Sequence, residues 1–141
     1  QTPSRGLHRI FFLEGLVVSG GRTAQVVAPR IETRPSRVDR FAVVVELHGE
    51  HDLATQEAVR IALASLRGNV LVDLSECTFI GSTVIGTIVK AAQTLASAGY
   101  RLELVLPAAD SQVVKTLALV RMQDLLPVHD DLARADEDVI E

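Results

Sequence analysis

Val70-Leu-Val-Asp-Leu74, then Ser82-Thr-Val-Ile-Gly-Thr-Ile-Val-Lys-Ala-Ala-Gln-Thr-Leu-Ala-Ser-Ala98, then Leu102-Glu-Leu-Val-Leu106 decide the fold. The two outer segments are short apolar runs rich in branched residues. Runs of that length, apolar on both faces, suit strands covered on both sides. The middle segment repeats its apolar residues at helical spacing, with Ile85, Ile88, Val89, Ala92 and Leu95 on one face. Gly99 stands where a left-handed helix cap belongs. Strand, long helix and strand in this order predict a parallel pair with a helical crossover.

The same alternation extends both ways. Phe41-Ala-Val-Val-Val45 predicts an earlier strand, and Thr55 to Leu66 a helix with Val59, Ala62, Leu63 and Leu66 inward, ended by Gly68-Asn69. After Pro107, the spacing of Val113, Val114, Leu117, Ala118 and Val120 predicts a helix over 111–120. Leu125 to His129 reads as a short last strand, and Asp130 or Asp131 as the cap of a final acidic helix. Val26 to Thr33 reads as an antiparallel strand, placed at the sheet edge because Pro29 cannot donate to a ladder. The expected fold is α/β, a mostly parallel sheet of four to five strands with helical crossovers and an antiparallel N-terminal edge strand. Residues 1–25 form an extension of unassigned structure, and 26–141 form the domain.

Composition narrows the function. At 141 residues the chain is the size of one domain, and 48% hydrophobic with 23% charged residues describes a globular core rather than a disordered chain. No apolar run reaches the length of a membrane span. Ile10 to Val18, preceded by Arg5 and Arg9, loosely resembles a signal peptide, but Glu14 and Gly15 favour a strand or packed arm. One cysteine, Cys77, cannot form an internal disulfide, which fits a reducing cytoplasm. The net charge of −4 divides into +4 over residues 1–40 and −8 over 41–141. A basic arm on an acidic body, with no tryptophan and 4% aromatic residues, argues against nucleic-acid binding.

In an open parallel sheet, functional groups gather at the carboxyl ends of the strands. The loops expected there are Gly49–Thr55, Cys77–Thr83 and Pro107–Ser111. The second is the informative one, because Ser82 follows a glycine and opens the long helix. The positive end of the helix dipole and its free N–H groups favour an anion, so a phosphate on Ser82 would leave the fold intact. The plain alternative is that Ser82 is an N-cap contributing about 1 kcal/mol.

Two motifs carry a family resemblance. Residues 43–55, Val-Val-Val-Glu-Leu-His-Gly-Glu-His-Asp-Leu-Ala-Thr, resemble the "Gly-Glu-x-Asp-Leu-Ala-Thr" signature of STAS domains. Residues 71–86, Leu-Val-Asp-Leu-Ser-Glu-Cys-Thr-Phe-Ile-Gly-Ser-Thr-Val-Ile-Gly, resemble that family's "Asp-Leu-Ser … Phe-Ile-Asp-Ser-x-Gly-Leu-Gly" segment. Leu125-Leu-Pro-Val-His129 is similar to its C-terminal end, and the bacterial anti-sigma-factor antagonists look like the nearest branch. The resemblance implies a binding module and not an enzyme. Its partner would be an anti-sigma factor with serine-kinase activity, with no cofactor, no metal, no nucleic acid and no membrane insertion. Carried over by position, the phosphoacceptor is Ser82 with Thr83 as neighbour, and the partner surface comprises Asp52, Thr55, Gly81, Ser82, Thr83 and Val84. Two positions depart from the pattern: Gly81 replaces the acidic residue before the serine, and Val84 replaces a glycine after it. The alternative is therefore a constitutive adaptor that is never phosphorylated, or a self-associating scaffold.

A serine hydrolase is the distant third reading. Ile80-Gly-Ser-Thr-Val84 lacks the flanking glycines of a nucleophile elbow, and His48 and His51 read as a strand end and a solvated loop residue. His48-x-x-His51 with Glu50 and Asp52 offers metal-ligand residue types on a bend, without the one-face spacing of a helical site. Cys77 reads as a small buried hydrophobe, and Asp73 as a strand-end carboxylate bonding the following loop.

Overall fold

The computed structural model describes residues 9–12, 28–37 and 39–130. Seven strands form one sheet: β1 (Arg9–Phe12), β2 (Arg30–Pro35), β3 (Val43–His51), β4 (Val70–Asp73), β5 (Cys77–Ile80), β6 (Leu102–Val105) and β7 (Val128–His129). Three α-helices lie between them: α1 (Gln56–Ala64), α2 (Ser82–Ser97) and α3 (Gln112–Leu119). The sheet order is β1-β2-β3-β4-β6-β7, with β5 also paired to β3. β2 runs antiparallel to both β1 and β3, and the pairs from β3 onward are parallel. The expected mixed α/β architecture is present.

β3, β4, β6 and β7 are laid down side by side in one direction. Right-handed crossovers then put every helix on the same face. Val59 and Leu63 of α1, Ile85 and Ile88 of α2, and Val113 and Leu117 of α3 share one buried cluster with Val45, Leu47, Val70, Val72, Leu102 and Leu104. The alternate strand residues Val44, Leu71 and Val105 join Phe41 in a separate small cluster on the other face. The apolar runs are thus buried on both faces, but among the described residues the helices serve only one.

Several boundaries differ from the sequence reading. β2 is flanked by β1 and is no edge strand; its ladder starts at Arg30, so Pro29 never needs to donate to it. β1 lies within the extension that the sequence left unassigned. The pattern at 9–12 is too short and too isolated to stand out from the charged residues around it. The sheet exceeds the expected five strands because β1 and β5 join it. Leu74-Ser-Glu76 interrupts what would otherwise be one strand. The Asp73 carboxylate accepts from Ser75 N–H at 2.9 Å and from its hydroxyl at 2.6 Å, turning the chain so that β5 resumes along the edge of β3. Asp73 is therefore the loop-bonding carboxylate its position suggested. Gly99, at φ +90°, closes α2 as expected, with Gly99 N–H bonded to Ala96 O and Tyr100 N–H to Leu95 O. The acidic helix expected after Asp130 lies outside the described residues.

Candidate protein-binding site at the start of helix α2

β3, β5 and β6 end on one side of the sheet, and that side carries the start of α2. Gly81 is the residue before the helix, with extended backbone (φ −100°, ψ 165°), and Ser82 is the first helical residue. The Gly81 carbonyl accepts the first helical hydrogen bonds, from Val84 and Ile85 N–H at 3.1 Å each. Ser82 therefore does not cap the helix: that place belongs to Gly81, which has no side chain to offer. The Ser82 and Thr83 side chains are exposed, at the positive end of a 16-residue helix.

Gly81 is held from β3 by its N–H, which donates to His51 O at 2.9 Å. A Cβ at position 81 would lie 3.3 Å from Asp52 Cβ, so the Asp52 loop passes directly behind the cap. Asp52 is exposed and caps a 3-10 turn over Leu53–Thr55, accepting from Ala54 N–H at 3.1 Å. The turn leaves Leu53 72% exposed beside it.

Three expectations are corrected. Val84 is fully buried and belongs to the core cluster, because successive helical residues turn by 100° and Ser82 and Val84 face opposite ways; it adds nothing to an exposed contact surface. Thr55 is likewise buried, so it acts on the surface only through the loop it holds. His51 is no solvated loop residue. The strand runs on to it, its ring is fully buried, and both nitrogens are engaged. Nε2–H donates to His48 O at 3.0 Å, which leaves Nδ1 to accept from the Thr55 hydroxyl at 3.1 Å. Burial, against smaller opposing effects from hydrogen bonds and Asp52, pushes its pKa below the usual histidine value, so the ring is neutral.

His48 and His51 do not converge on a metal. His48 lies with Glu32 and Glu46, whose ligand-type atoms fall within 4.8 Å of one another. Arg34 already binds Glu46 at 2.7 Å, and Arg30 lies 3.8 Å from Glu32, so this group is neutralised without a cation. Burial pushes the Cys77 thiol up to about 11, as expected of an inert buried cysteine.

Sequence reasoning missed two features. Glu103, in mid-β6 and 1% exposed, receives both Arg40 guanidinium N–H groups at 2.5 and 3.1 Å and His129 Nε2 at 2.7 Å. The signal was in Leu102-Glu-Leu-Val-Leu106, a charge inside a strand too apolar to face water. Gln112 bonds the backbone of Ile80, two residues before Ser82. No local pattern marks a contact made across 32 residues.

A family model described as "Mlab, STAS domain" matches residues 37–127. No curated protein matches the chain. The fold is similar to that of an anti-sigma factor antagonist from Mycobacterium paratuberculosis, at 21% identity and TM-score 0.66, covering 79% of this chain and 95% of that one. It is also similar to the anti-sigma factor antagonist SpoIIAA in its unphosphorylated form, at 19% identity and TM-score 0.59, covering 80% and 97%. TM1081 from Thermotoga maritima shares 21% identity at TM-score 0.59, covering 75% and 92%. With 91 consecutive residues matched by the family model, more than half of its length, this chain belongs to the STAS domain family.

Proposed function

We propose that this chain is a regulatory protein-binding module, an anti-sigma-factor antagonist that works in the cytoplasm and binds an anti-sigma factor with serine-kinase activity. Phosphorylation of Ser82 switches the complex off. The observation that carries this reading is the exposure of Ser82 and Thr83 at the first turn of α2, where no side chain occupies the cap. The contact surface is Ser82, Thr83, the half-buried Gly81, and Asp52 with its neighbour Leu53. Solved structures of the same fold that are described as anti-sigma factor antagonists support the assignment of partner class.

The switch follows from charge. The unmodified hydroxyl presents a neutral helix start to the partner. Phosphorylation moves the γ-phosphoryl group of ATP to Ser82 Oγ and releases ADP. The phosphate then stands at the positive helix end, so the fold tolerates it. Buried in an interface it would have to shed water beside the Asp52 carboxylate, which costs binding.

His51 argues against hydrolase chemistry at Ser82, since both of its ring nitrogens are already engaged and it cannot take the serine proton. His48 is likewise bonded to Glu46 at 2.9 Å. Incubation with the anti-sigma factor kinase of the same genome and labelled ATP tests the proposal. Label should enter the wild-type chain and not Ser82→Ala. A wild-type chain that takes up none would be the constitutive adaptor instead.

A further inference from the structure

We infer that Gln112 is a positioning residue for the Ser82 site, holding the outer edge of β5 as a neighbouring strand would. The inference rests on the reading of Ser82 above. The inner edge of β5 is bonded to β3, ending with Gly81 N–H on His51 O. Among the described residues no strand lies beside its outer edge, because β6 pairs with β4 and ends at Val105. A backbone N–H and C=O buried there without partners would each cost a hydrogen bond.

The Gln112 amide supplies both. Its Oε1 accepts from Ile80 N–H at 3.0 Å, and its Nε2 donates to Ile80 O at 3.2 Å, the two-point pattern that a neighbouring strand would make. The second Nε2 hydrogen goes to Thr116 Oγ1 at 2.7 Å, one turn along α3, which fixes the rotamer. Gln112 is the first residue of α3, itself capped by the Ser111 hydroxyl on Val114 N–H. The starts of α2 and α3 are thus tied together through one side chain. Ile80 is gripped on its outer side and Gly81 on its inner side, and Ser82 follows with no slack between them. Few side chains of this length can do this: asparagine is one methylene short, and glutamate loses the donor.

The protein alone, labelled with ¹⁵N, provides the test. Gln112→Ala should shift the amide signals of residues 80–83 and speed hydrogen exchange at Ile80 N–H about fivefold to tenfold, the loss expected for one net hydrogen bond. Gln112→Glu keeps an acceptor for Ile80 N–H, but at neutral pH its carboxylate repels Ile80 O, so it too should displace the amide signals of residues 80–83. Protonation restores a donor, so its signals should return toward those of wild type at the same pH as the carboxyl titrates, above the ordinary carboxylate range because the neutral form is the one that Ile80 O favours. A merely structural contribution to α3 would move signals within α3 and give no such recovery. Signals of 80–83 that superimpose on wild type in Gln112→Ala, or a Gln112→Glu spectrum that never recovers, would overturn the inference. Because no partner is present, that result counts against Gln112 alone, whereas absent label uptake counts against Ser82.

Discussion

Gly81 and Asp52 lie back to back, close enough that a methyl group on residue 81 would sit 3.3 Å from Asp52 Cβ and 3.4 Å from its Cα. Any side chain at residue 81 therefore packs tightly against the loop that supplies Asp52. Gly81→Ala should lower stability by about 1 kcal/mol, since alanine is a poor cap residue and the contact is tight. Gly81→Asp regains a cap acceptor but faces the Asp52 carboxylate. Its deficit should shrink as salt screens the repulsion, while that of Gly81→Ala should not. Urea denaturation at low and high salt measures both.

Gly86 lies one turn beyond Ser82 on the same exposed face of α2, and a Cβ there would meet nothing within 4 Å. Gly86→Ala should therefore stabilise the fold by about 0.5–1 kcal/mol through helix propensity alone. Gly68 is the opposite case: at φ +99° its Cβ would fall 2.8 Å from Ala42 Cβ. Gly68→Ala should cost about 1–3 kcal/mol. Thermal melts of the two variants should move in opposite directions. If the partner docks along α2, Gly86→Ala will weaken binding even as it raises Tm.

The buried Glu103 carboxylate joins β6 to Arg40, in the β2–β3 connection, and to His129 in β7. Arg40 also lies over the Phe41 ring, 4.6 Å from its centroid. Removing the carboxylate in Glu103→Ala leaves these donors facing one another in a low-dielectric site, so a loss of about 3–5 kcal/mol is expected. Glu103→Gln should lose less, because it keeps one acceptor. Chemical denaturation separates the two.

Acid should unfold the protein in two stages. Burial has lowered the His51 pKa, so the unfolded chain binds the proton more tightly. Stability from this group is complete above the unfolded value of about 6.5 and is lost as pH falls below it. Glu103 has the same sign in a lower window. Burial alone would raise its pKa, but hydrogen bonds from His129 and Arg40 hold it below the ordinary carboxylate value. Its contribution is lost as pH falls below about 4.3. A plot of Tm against pH should begin to fall near 6.5 and steepen below 4.5. Replacing His51 with glutamine should remove the upper stage and leave the lower one.

The periodic part of this architecture was legible in the residues. Apolar runs of strand length, the helical spacing of Ile85, Ile88 and Leu95, and the glycine after Ala98 each record a local rule, and each appears where expected. The site was legible in part, since Ser82 opening α2 follows from the same helix. What was not legible depends on contacts far apart in sequence. Strand β5 forms because β3 extends beyond β4 and offers an edge, so Cys77–Ile80 pairs despite its mixed polarity. His51 is buried because β3 runs two residues past Gly49 before it turns. Val84 reads as surface in a motif, yet the helix phase set by Ile85 and Ile88 draws it inward.

The affinity of the anti-sigma factor kinase for two variants, measured by titration calorimetry, tests the central claim most directly. Ser82→Ala keeps a small neutral helix start and should bind like the unmodified chain. Ser82→Asp places charge at the contact and should bind roughly thirty- to several-thousand-fold more weakly, corresponding to a penalty of about 2–5 kcal/mol. Equal affinities for the two variants would contradict a switch at residue 82.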